Sequence, residues 1–458
     1  MIKSWKIALT AIFSAAMISA ASFYCINKLI YLQTKIAPDI QIFLEHGEQF
    51  RLSGNLYRRA NENASLEFLY SPSGSEFKFP PAAQIFLYPF FRHGIDYLYI
   101  EPMPGIKGTN EAAFTPFRIF LLFLYTASLL ITAFWCGKNT WGEMPAHKKI
   151  LLGSAFYATA AISEPLFANI HYVNFEILIF FIISLSCLCV VQKKYIAGFL
   201  SGIAAGIKIY PSFLALHFFA ARNFQALIGF SIGILLTLVA GYVVFGGQET
   251  SFYFSAVLPQ LLHEPITTHD YNLSLGKIFL KTGFYPDILF NLFRVIVIGF
   301  YFYVLVNTKK TSNTQRELLA VSLITMLFFL KNYWSAYQVF ILPAYFIVCM
   351  KTIIKPTYTN VIALAFCNVA LFMDQYWWGE TQLLQEFAST NPDGAKDYWA
   401  NQTAIEHQAK SFIFPIPHMP TVIYYLTQSK IFAPFVLWAI LVADLIRNPQ
   451  HLTGRQYP

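Results

Sequence analysis

The feature that most constrains this chain is a series of apolar runs long enough to cross a lipid bilayer, which requires roughly 20 apolar residues in helical form. Only 12% of the residues are charged and 56% are hydrophobic, whereas soluble domains carry about a quarter charged residues. The sequence therefore predicts an all-α, polytopic transmembrane helical bundle with about ten crossings. The candidate crossings lie near residues 7–30, 114–136, 149–166, 170–191, 224–245, 285–306, 317–332, 335–351, 357–377 and 419–446.

The first run, residues 7–30, follows two lysines and is longer than the apolar core of a signal peptide. Small residues around Ala20 resemble a signal-peptidase site, so a cleaved leader is the alternative. The length of the run favours an uncleaved membrane anchor.

Two other apolar stretches do not fit a full crossing. Residues 80–91 begin with two prolines and are too short, and residues 195–219 contain Pro211, whose ring and missing N–H interrupt a helix. We interpret both stretches as re-entrant or half-membrane elements. Broken backbone at membrane depth is tolerated only where it is buried in protein or lines a cavity.

Lysines and arginines cluster at the ends of the apolar runs and predict the orientation, because short cytoplasmic loops are enriched in them. With both termini inside, the cytoplasmic loops receive Lys138, Lys148, Lys149, Lys193, Lys194, Arg222, Lys309, Lys310, Arg316, Lys351, Lys355 and Arg447. The outer loops of this single integral membrane domain, residues 1–458, are then 31–113, 246–284 and 378–418. Because lysines and arginines in these short loops set the membrane orientation, they explain the net charge of +8, and no nucleic-acid partner is expected.

The six cysteines lie in or beside apolar segments, and none has metal-ligand spacing. We expect small packing residues, with no disulfide, no metal site and no cofactor. The cysteines are Cys25, Cys136, Cys187, Cys189, Cys349 and Cys367.

Lys208 is the most unusual charged residue, because small residues precede it in an apolar stretch and Pro211 follows it. A charge near the centre of a crossing costs about 2.5–3.5 kcal/mol on insertion scales, so such residues usually face a cavity and carry function. A cation beside a chain break would suit an anion such as phosphate. A lysine whose ammonium reaches the membrane surface is the alternative.

Asp39 follows the first run and precedes an amphipathic stretch, residues 41–57, which contains Arg51. It is either a helix N-cap, a position that aspartate favours, or a catalytic group, and the local sequence supports both. Other polar residues are predicted on the same outer face: Arg118, Glu164, His171, Asn174, Glu176, His269, Asp270, Asn272 and Lys331.

In this order the residues resemble the GT-C superfamily of polyprenol-phosphate-sugar-dependent glycosyltransferases, and most closely glycosyltransferase family 87, which includes bacterial mannosyltransferases. Asp39, with Gly54–Tyr57 downstream, is similar to the family's first-loop catalytic Asp with its later small residue and Tyr. Phe79–Pro81 resembles its Tyr–Pro–Pro element, and Arg118 lies where the family often begins its next span. Val173–Asn174 resembles the end of a Gly–Gln–Val–Asn turn, with a His–Tyr pair replacing Gly–Gln.

Three later segments extend the resemblance, which spans about residues 30–345. Gly206–Pro211 is similar to a Lys-x-x-Pro element in a small-residue helix, and Asn272–Leu275 to an Asn–Gln–Ser–Leu element. Tyr333–Tyr337 resembles a Ser–Trp–x–His–His element but contains neither histidine. Any role of those histidines therefore does not carry over to this chain.

The resemblance implies an inverting hexosyltransferase, with mannose favoured. It would move the sugar from a polyprenyl-phosphate donor to a lipid or glycan hydroxyl, on the non-cytoplasmic face of the bacterial inner membrane. Asp39 is then the general base and Lys208 the phosphate ligand. The other substrate-binding candidates are Arg51, Tyr57, Arg118, Asn174, Asn272, Lys331, Trp334 and Tyr337. The alternatives are a transporter or flippase for a lipid-linked or anionic solute, because transporters also contain broken helices and buried charges, and a non-catalytic assembly partner.

Overall fold

The chain forms a bundle of helices in the computed structural model, which describes residues 2–32, 50, 56, 58–60, 66–68, 79–85, 115–137, 144–172, 174–263, 265–266, 272–282, 285–308, 311–333, 335–372 and 429–447. In chain order the helices are α1 (Ile2–Leu32), α2 (Thr115–Gly137), α3 (Ala146–Ala161), α4 (Glu164–Tyr172), α5 (Glu176–Cys189), α6 (Lys194–Ile207), α7 (Phe213–Ala220), α8 (Phe224–Phe252), α9 (Leu258–His263), α10 (Leu275–Thr282), α11 (Pro286–Asn307), α12 (Ser312–Phe328), α13 (Leu342–Ile354), α14 (Tyr358–Phe372) and α15 (Ala433–Arg447).

Shorter elements lie between these helices. The strands β1 (Arg58–Ala60) and β2 (Leu66–Phe68) pair antiparallel. Segments of 3₁₀-helix cover Tyr210–Ser212, Ser335–Ile341 and Ser429–Ile431, and a π-helix covers Tyr253–Val257. The centre of the bundle is α13, in which every residue from Leu342 to Met350 is buried.

Within the described residues, five helices are long and apolar enough to cross a membrane, and the bent pair α3–α4 makes a sixth candidate. The five are Trp5–Asn27, Phe117–Gly137, Phe224–His263, Pro286–Asn307 and Ser335–Ile354. Helices α8 and α11 expose large apolar side chains, including Ile232, Val239, Val243, Val295 and Phe300. Exposed apolar faces of this kind are typical of helices that contact lipid. The prediction of a polytopic transmembrane helical bundle is confirmed, while the count of ten crossings stays a prediction.

Two predicted crossings have different boundaries in the structure. The run 149–166 is divided between α3 and α4, which meet at an angle of 44°. Pro165 explains the division, since it lacks an N–H and is suited only to the first turn of a new helix. The run 170–191 begins with the last residues of α4, which ends at Tyr172, and continues as α5 from Glu176 to Cys189.

The predicted interruption of residues 195–219 is present, but it begins at Lys208 rather than at Pro211. Helix α6 ends at Ile207, and Lys208 is extended, with φ −137° and ψ 139°. The ring of Pro211 clashes with the carbonyl four residues earlier, that of Ile207, so the helix cannot continue past that residue. In the other predicted half-membrane element, residues 81–85 form a helical turn and are mostly buried; residues 86–91 lie outside the described part.

Residues 246–284, predicted as an outer loop, contain much helix. Helix α8 bends at Gly246, where φ is +85°, a conformation that glycine adopts without a steric cost. The chain then remains helical through α9 and forms α10 at Leu275–Thr282.

Helices α6 and α8 are in backbone contact through small residues. A Cβ at Gly198 would stand 1.8 Å from the carbonyl oxygen of Ala226, and one at Gly202 would stand 2.2 Å from that of Phe230. A Cβ at Gly233 of α8 would stand 2.3 Å from the carbonyl oxygen of Phe199. Small residues four apart are the usual device for close helix packing in membranes, and here they fix the position of the α6 end that bears Lys208.

We expect Gly202→Ala to lower the midpoint of thermal unfolding in detergent, because the added methyl group must push two backbones apart. Overpacking of this kind costs about 1–3 kcal/mol. The matched control is Gly153→Ala in α3, where nothing lies within 4 Å of the position that the added methyl group would take. That variant should be neutral or more stable, by about 0.5–1 kcal/mol. Equal midpoints for the two variants would contradict the close packing.

Candidate active site

Glu176 and Lys208 meet because they lie at the same end of an antiparallel helix pair. Helices α5 and α6 contain 14 residues each and are joined by the turn 190–193. Near the turn, the Ser186 hydroxyl donates to the Ala197 carbonyl at 2.7 Å and contacts the Ser201 hydroxyl at 2.7 Å. The first residue of α5 is thereby placed beside the residue that follows α6.

The carboxylate of Glu176 accepts two hydrogen bonds from the segment after α6. The Lys208 ammonium donates to Oε1 and forms a buried ion pair, and the Tyr210 hydroxyl donates to Oε2. The Glu176 and Lys208 side chains are 0% and 7% exposed. Each charge also lies at the helix end that favours it, the acid at an N-terminus and the base at a C-terminus. The backbone N–H of Glu176 donates to Asn174 Oδ1 at 3.3 Å, which fixes the start of α5.

Aromatic rings enclose the ammonium group of Lys208. Its Nζ lies 5.1 Å from the ring centroid of Phe79 and 5.0 Å from that of Tyr337, both within the range of a cation–π interaction. The ring of Tyr210 lies 5.4 Å from Tyr337 and 5.6 Å from Phe340. Phe79, Tyr210 and Tyr337 are half-buried, so this aromatic wall is a partly accessible side of the ion pair.

The 3₁₀-helix Ser335–Ile341, which carries Tyr337, is held from two sides. The buried Asn169 of α4 donates through Nδ2 to the Ala336 carbonyl at 2.9 Å. On the other side, Gln338 Nε2 donates to the Lys430 carbonyl at 3.0 Å. These contacts fix the ring that packs on Lys208.

Asn272 stabilises, through hydrogen bonds, the chain just before the 3₁₀-helix Ser335–Ile341. Its Oδ1 accepts the backbone N–H groups of Ser274 at 3.0 Å and Tyr333 at 3.3 Å, and its Nδ2 donates to Asn332 Oδ1 at 2.8 Å. The Ser274 hydroxyl donates to the carbonyl of Lys331. The ring of Tyr333 lies 6.3 Å from that of Tyr337. The Asn272–Leu275 element is therefore connected to the ion pair through two aromatic side chains, and these contacts of Asn272 are structural.

The structure brings three of the predicted site residues together: Lys208, Tyr337 and Asn174. Asn272 and Lys331 adjoin them through the Tyr333 segment. Arg118, at the start of α2, is buried and donates through Nε to the carbonyl of Ile170 in α4 at 3.3 Å. The remaining predicted residues, Asp39, Arg51, Tyr57 and Trp334, lie outside the described residues, as do His269 and Asp270.

Glu176 is predicted on this face from the sequence, but its pairing with Lys208 is not, and no role is predicted for Tyr210 or Phe79. One signal could have found the pair, because a charge at membrane depth is usually paired with another charge. Glu176 and Lys208 flank two apolar segments of similar length joined by a charged turn. A hairpin of those segments places the two residues side by side.

The region that contains the ion pair matches the model of a known protein family. The model of glycosyltransferase family 87 matches residues 77–331, more than half of the chain, and includes both members of the ion pair. No curated protein matches the chain. Among solved structures, the chain is similar to ArnT from Cupriavidus metallidurans bound to undecaprenyl phosphate, with 9% sequence identity and a TM-score of 0.44. The match covers 95% of this chain and 78% of that one. The extent of the family match shows that this membrane protein belongs to glycosyltransferase family 87.

Proposed function

We propose that the chain transfers a hexose, with mannose favoured, from a polyprenyl-phosphate sugar to a hydroxyl group of a lipid or glycan acceptor. The observation that carries this proposal is Lys208, a cation held at the broken end of a membrane helix inside the region that matches the family. An anionic group on a membrane-embedded substrate is the ligand that such a cation suits. The phosphate of a polyprenyl donor is an anion of this kind.

The depth of the ion pair supports a lipid-linked donor. A helix of 14 residues spans about 21 Å at 1.5 Å per residue, which is less than the hydrocarbon thickness of about 30 Å. With Lys193 and Lys194 in a cytoplasmic turn, Lys208 then lies within the membrane but toward the non-cytoplasmic face. The lipid chain of a donor would hold its phosphate near that depth. We accordingly assign the reaction to the outer face of the bacterial inner membrane.

The proposed reaction is a single displacement that inverts the anomeric carbon. The acceptor oxygen attacks this carbon, the bond between the carbon and the phosphate oxygen breaks, and the electron pair remains on the phosphate. The acceptor proton passes to the carboxylate of Asp39, which we assign as the general base. Lys208 stabilises the negative charge that grows on the departing phosphate. Because phosphate is a good leaving group, no general acid is required.

Other residues have supporting roles in this proposal. Asn174 acts through the backbone of Glu176, and Tyr337 acts through its contact with the Lys208 ammonium. Asn272 acts through the Tyr333 segment that it braces. We propose direct substrate contacts for Arg51, Tyr57, Arg118, Lys331 and Trp334.

Lys208→Gln should weaken binding of a polyprenyl-phosphate sugar by about 10- to 100-fold, since a charge-assisted hydrogen bond is worth about 1.5–3 kcal/mol. Glutamine can still donate to Glu176, but the buried Glu176 carboxylate loses its counter-charge, a loss that typically costs about 3–5 kcal/mol, so thermal unfolding is measured beside donor binding. Donor binding is measured on purified protein in lipid nanodiscs, and mannosyl and glucosyl donors are compared to identify the sugar.

The matched control for this experiment is Lys351→Gln. Lys351 is also ion-paired, at 3.0 Å to both Glu317 and Asp444, but it lies roughly 20 Å along the helix from Tyr337. Its replacement should leave donor affinity intact. Unchanged donor affinity in a folded Lys208→Gln protein would remove Lys208 from the donor site.

A further inference from the structure

Lys208 does not present an isolated positive charge to a phosphate. Its ammonium is paired with the Glu176 carboxylate, which is 0% exposed and also accepts the Tyr210 hydroxyl. The pair as a whole is electrically neutral. An anion that approaches Lys208 past the aromatic wall of Phe79 and Tyr337 experiences a near cation and a more distant anion.

The reaction changes the charge of the lipid that occupies such a site. The sugar donor is a phosphodiester and carries one negative charge. When the sugar leaves, the bond between the anomeric carbon and oxygen breaks, and the lipid becomes a phosphomonoester. A phosphomonoester carries about −1.5 to −2 charges at pH 7. A lone lysine in a membrane interior would therefore hold the product more tightly than the donor, and the product would block the next turnover.

We propose that Glu176 is a positioning residue that also balances the charge of Lys208, and thereby limits the preference of the site for the phosphomonoester product over the phosphodiester donor. The inference rests on the proposed function, in which Lys208 binds the donor phosphate. Glu176 touches neither substrate nor product in this scheme. It acts through Lys208, whose ammonium it orients, and through the negative charge that it adds behind that ammonium.

The size of the effect follows from the extra charge on the product. In a protein environment with an effective dielectric constant of about 20, unit charges several Å apart interact strongly enough to change a binding constant by a factor of ten or more. Removing the Glu176 charge should strengthen binding of both lipids. The gain should be larger for the product, because the product carries the larger negative charge.

The test measures the affinities of a polyprenyl-phosphate sugar and of the free polyprenyl phosphate for four proteins: wild type, Glu176→Gln, Lys208→Gln and the double variant. Glutamine at position 176 can still accept from Lys208 and donate to the Tyr210 hydroxyl, which is both donor and acceptor. We expect Glu176→Gln to raise the preference for product over donor by about tenfold, in the wild-type background and in the Lys208→Gln background alike. Steady-state transfer should then show product inhibition at a lower concentration of free polyprenyl phosphate.

The double variant keeps the test decisive if the single Glu176→Gln protein does not fold, because it removes both charges of the Glu176–Lys208 ion pair. Tyr210→Phe is the control for geometry. It removes the other hydrogen bond to the carboxylate without a change in charge, so donor and product affinities should shift together and their ratio should stay within about twofold.

One outcome would overturn the role of Glu176 alone. In it, Lys208→Gln weakens the binding of both lipids, but Glu176→Gln leaves the ratio of product affinity to donor affinity unchanged or lowers it. If Lys208→Gln weakens the binding of neither lipid, the assignment of Lys208 to the donor phosphate fails as well. A purely structural role predicts that Glu176→Gln weakens both lipids by the same factor. The three outcomes therefore separate the inference from the proposal on which it rests.

Discussion

Asp39→Asn should lower the turnover of glycosyl transfer by about 10²- to 10⁴-fold, the usual contribution of a general base. Asparagine has the shape of aspartate but cannot take up the acceptor proton at neutral pH. Donor binding should persist, because a carboxylate gains nothing from proximity to an anionic phosphate. Turnover and donor affinity are both measured on the purified protein in nanodiscs.

The alternative role of Asp39 as a helix N-cap predicts the opposite pattern. Asparagine caps a helix about as well as aspartate, whereas alanine loses about 1 kcal/mol of stability. In that case Asp39→Asn would be active, and only Asp39→Ala would unfold at a lower temperature. Asp444→Asn is the matched control, because Asp444 pairs with Lys351 in the part of the bundle remote from Lys208. An Asp39→Asn protein with wild-type turnover would end the catalytic assignment.

The membrane architecture could be predicted from the sequence because it depends on local properties. The length of an apolar run indicates whether it can cross a bilayer, and Pro211 marks a helix interruption wherever the helix is placed. The small residues around Gly202 likewise indicate close packing, although not against which helix. The interruption begins three residues before Pro211, because the proline ring acts on the carbonyl of Ile207 rather than on its own position.

The residues that form the candidate site were harder to predict from the sequence, because they are distant from one another along the chain. The cost of a charge in lipid draws attention to Lys208 and equally to Glu176. It does not indicate that the two side chains pair with each other. Their contact depends on the exact ends of α5 and α6 and on a turn of a few residues. The aromatic residues were harder still to predict. Phe79 lies far before Lys208 in the chain and Tyr337 far after it, yet both rings contact the Lys208 ammonium.

A second buried ion pair, between residues still farther apart along the chain, could not be predicted from the sequence either. Glu164 begins α4, and Lys430 lies in the 3₁₀-helix that precedes α15. Their side chains form an ion pair in which Glu164 is 1% and Lys430 0% exposed. No local pattern connects residues so far apart in the chain. Because Lys430 also accepts a hydrogen bond from Gln338 through its carbonyl, the pair supports the segment that carries Tyr337.

Neutralising one member of this pair should be among the most damaging changes to the fold. Glu164→Gln leaves the Lys430 ammonium buried without its counter-charge, and the loss of one partner from a buried pair typically costs about 3–5 kcal/mol. The double variant Glu164→Leu/Lys430→Met replaces both charges with apolar groups of similar size and should recover most of that loss. The backbone contact from Gln338 is retained in all of these proteins. Thermal unfolding in detergent measures the stability of each variant.

Glu317→Gln supplies the comparison that isolates burial as the cause. Glu317 pairs with Lys351 at 3.0 Å, but their side chains are 14% and 24% exposed, and Lys351 keeps a second partner in Asp444. Pairs that water can reach contribute only about 0–1 kcal/mol, so this variant should unfold close to the wild-type temperature. If Glu164→Gln and Glu317→Gln have the same small effect, or if the double variant is no more stable than Glu164→Gln, the Glu164–Lys430 pair does not stabilise the bundle through its charges.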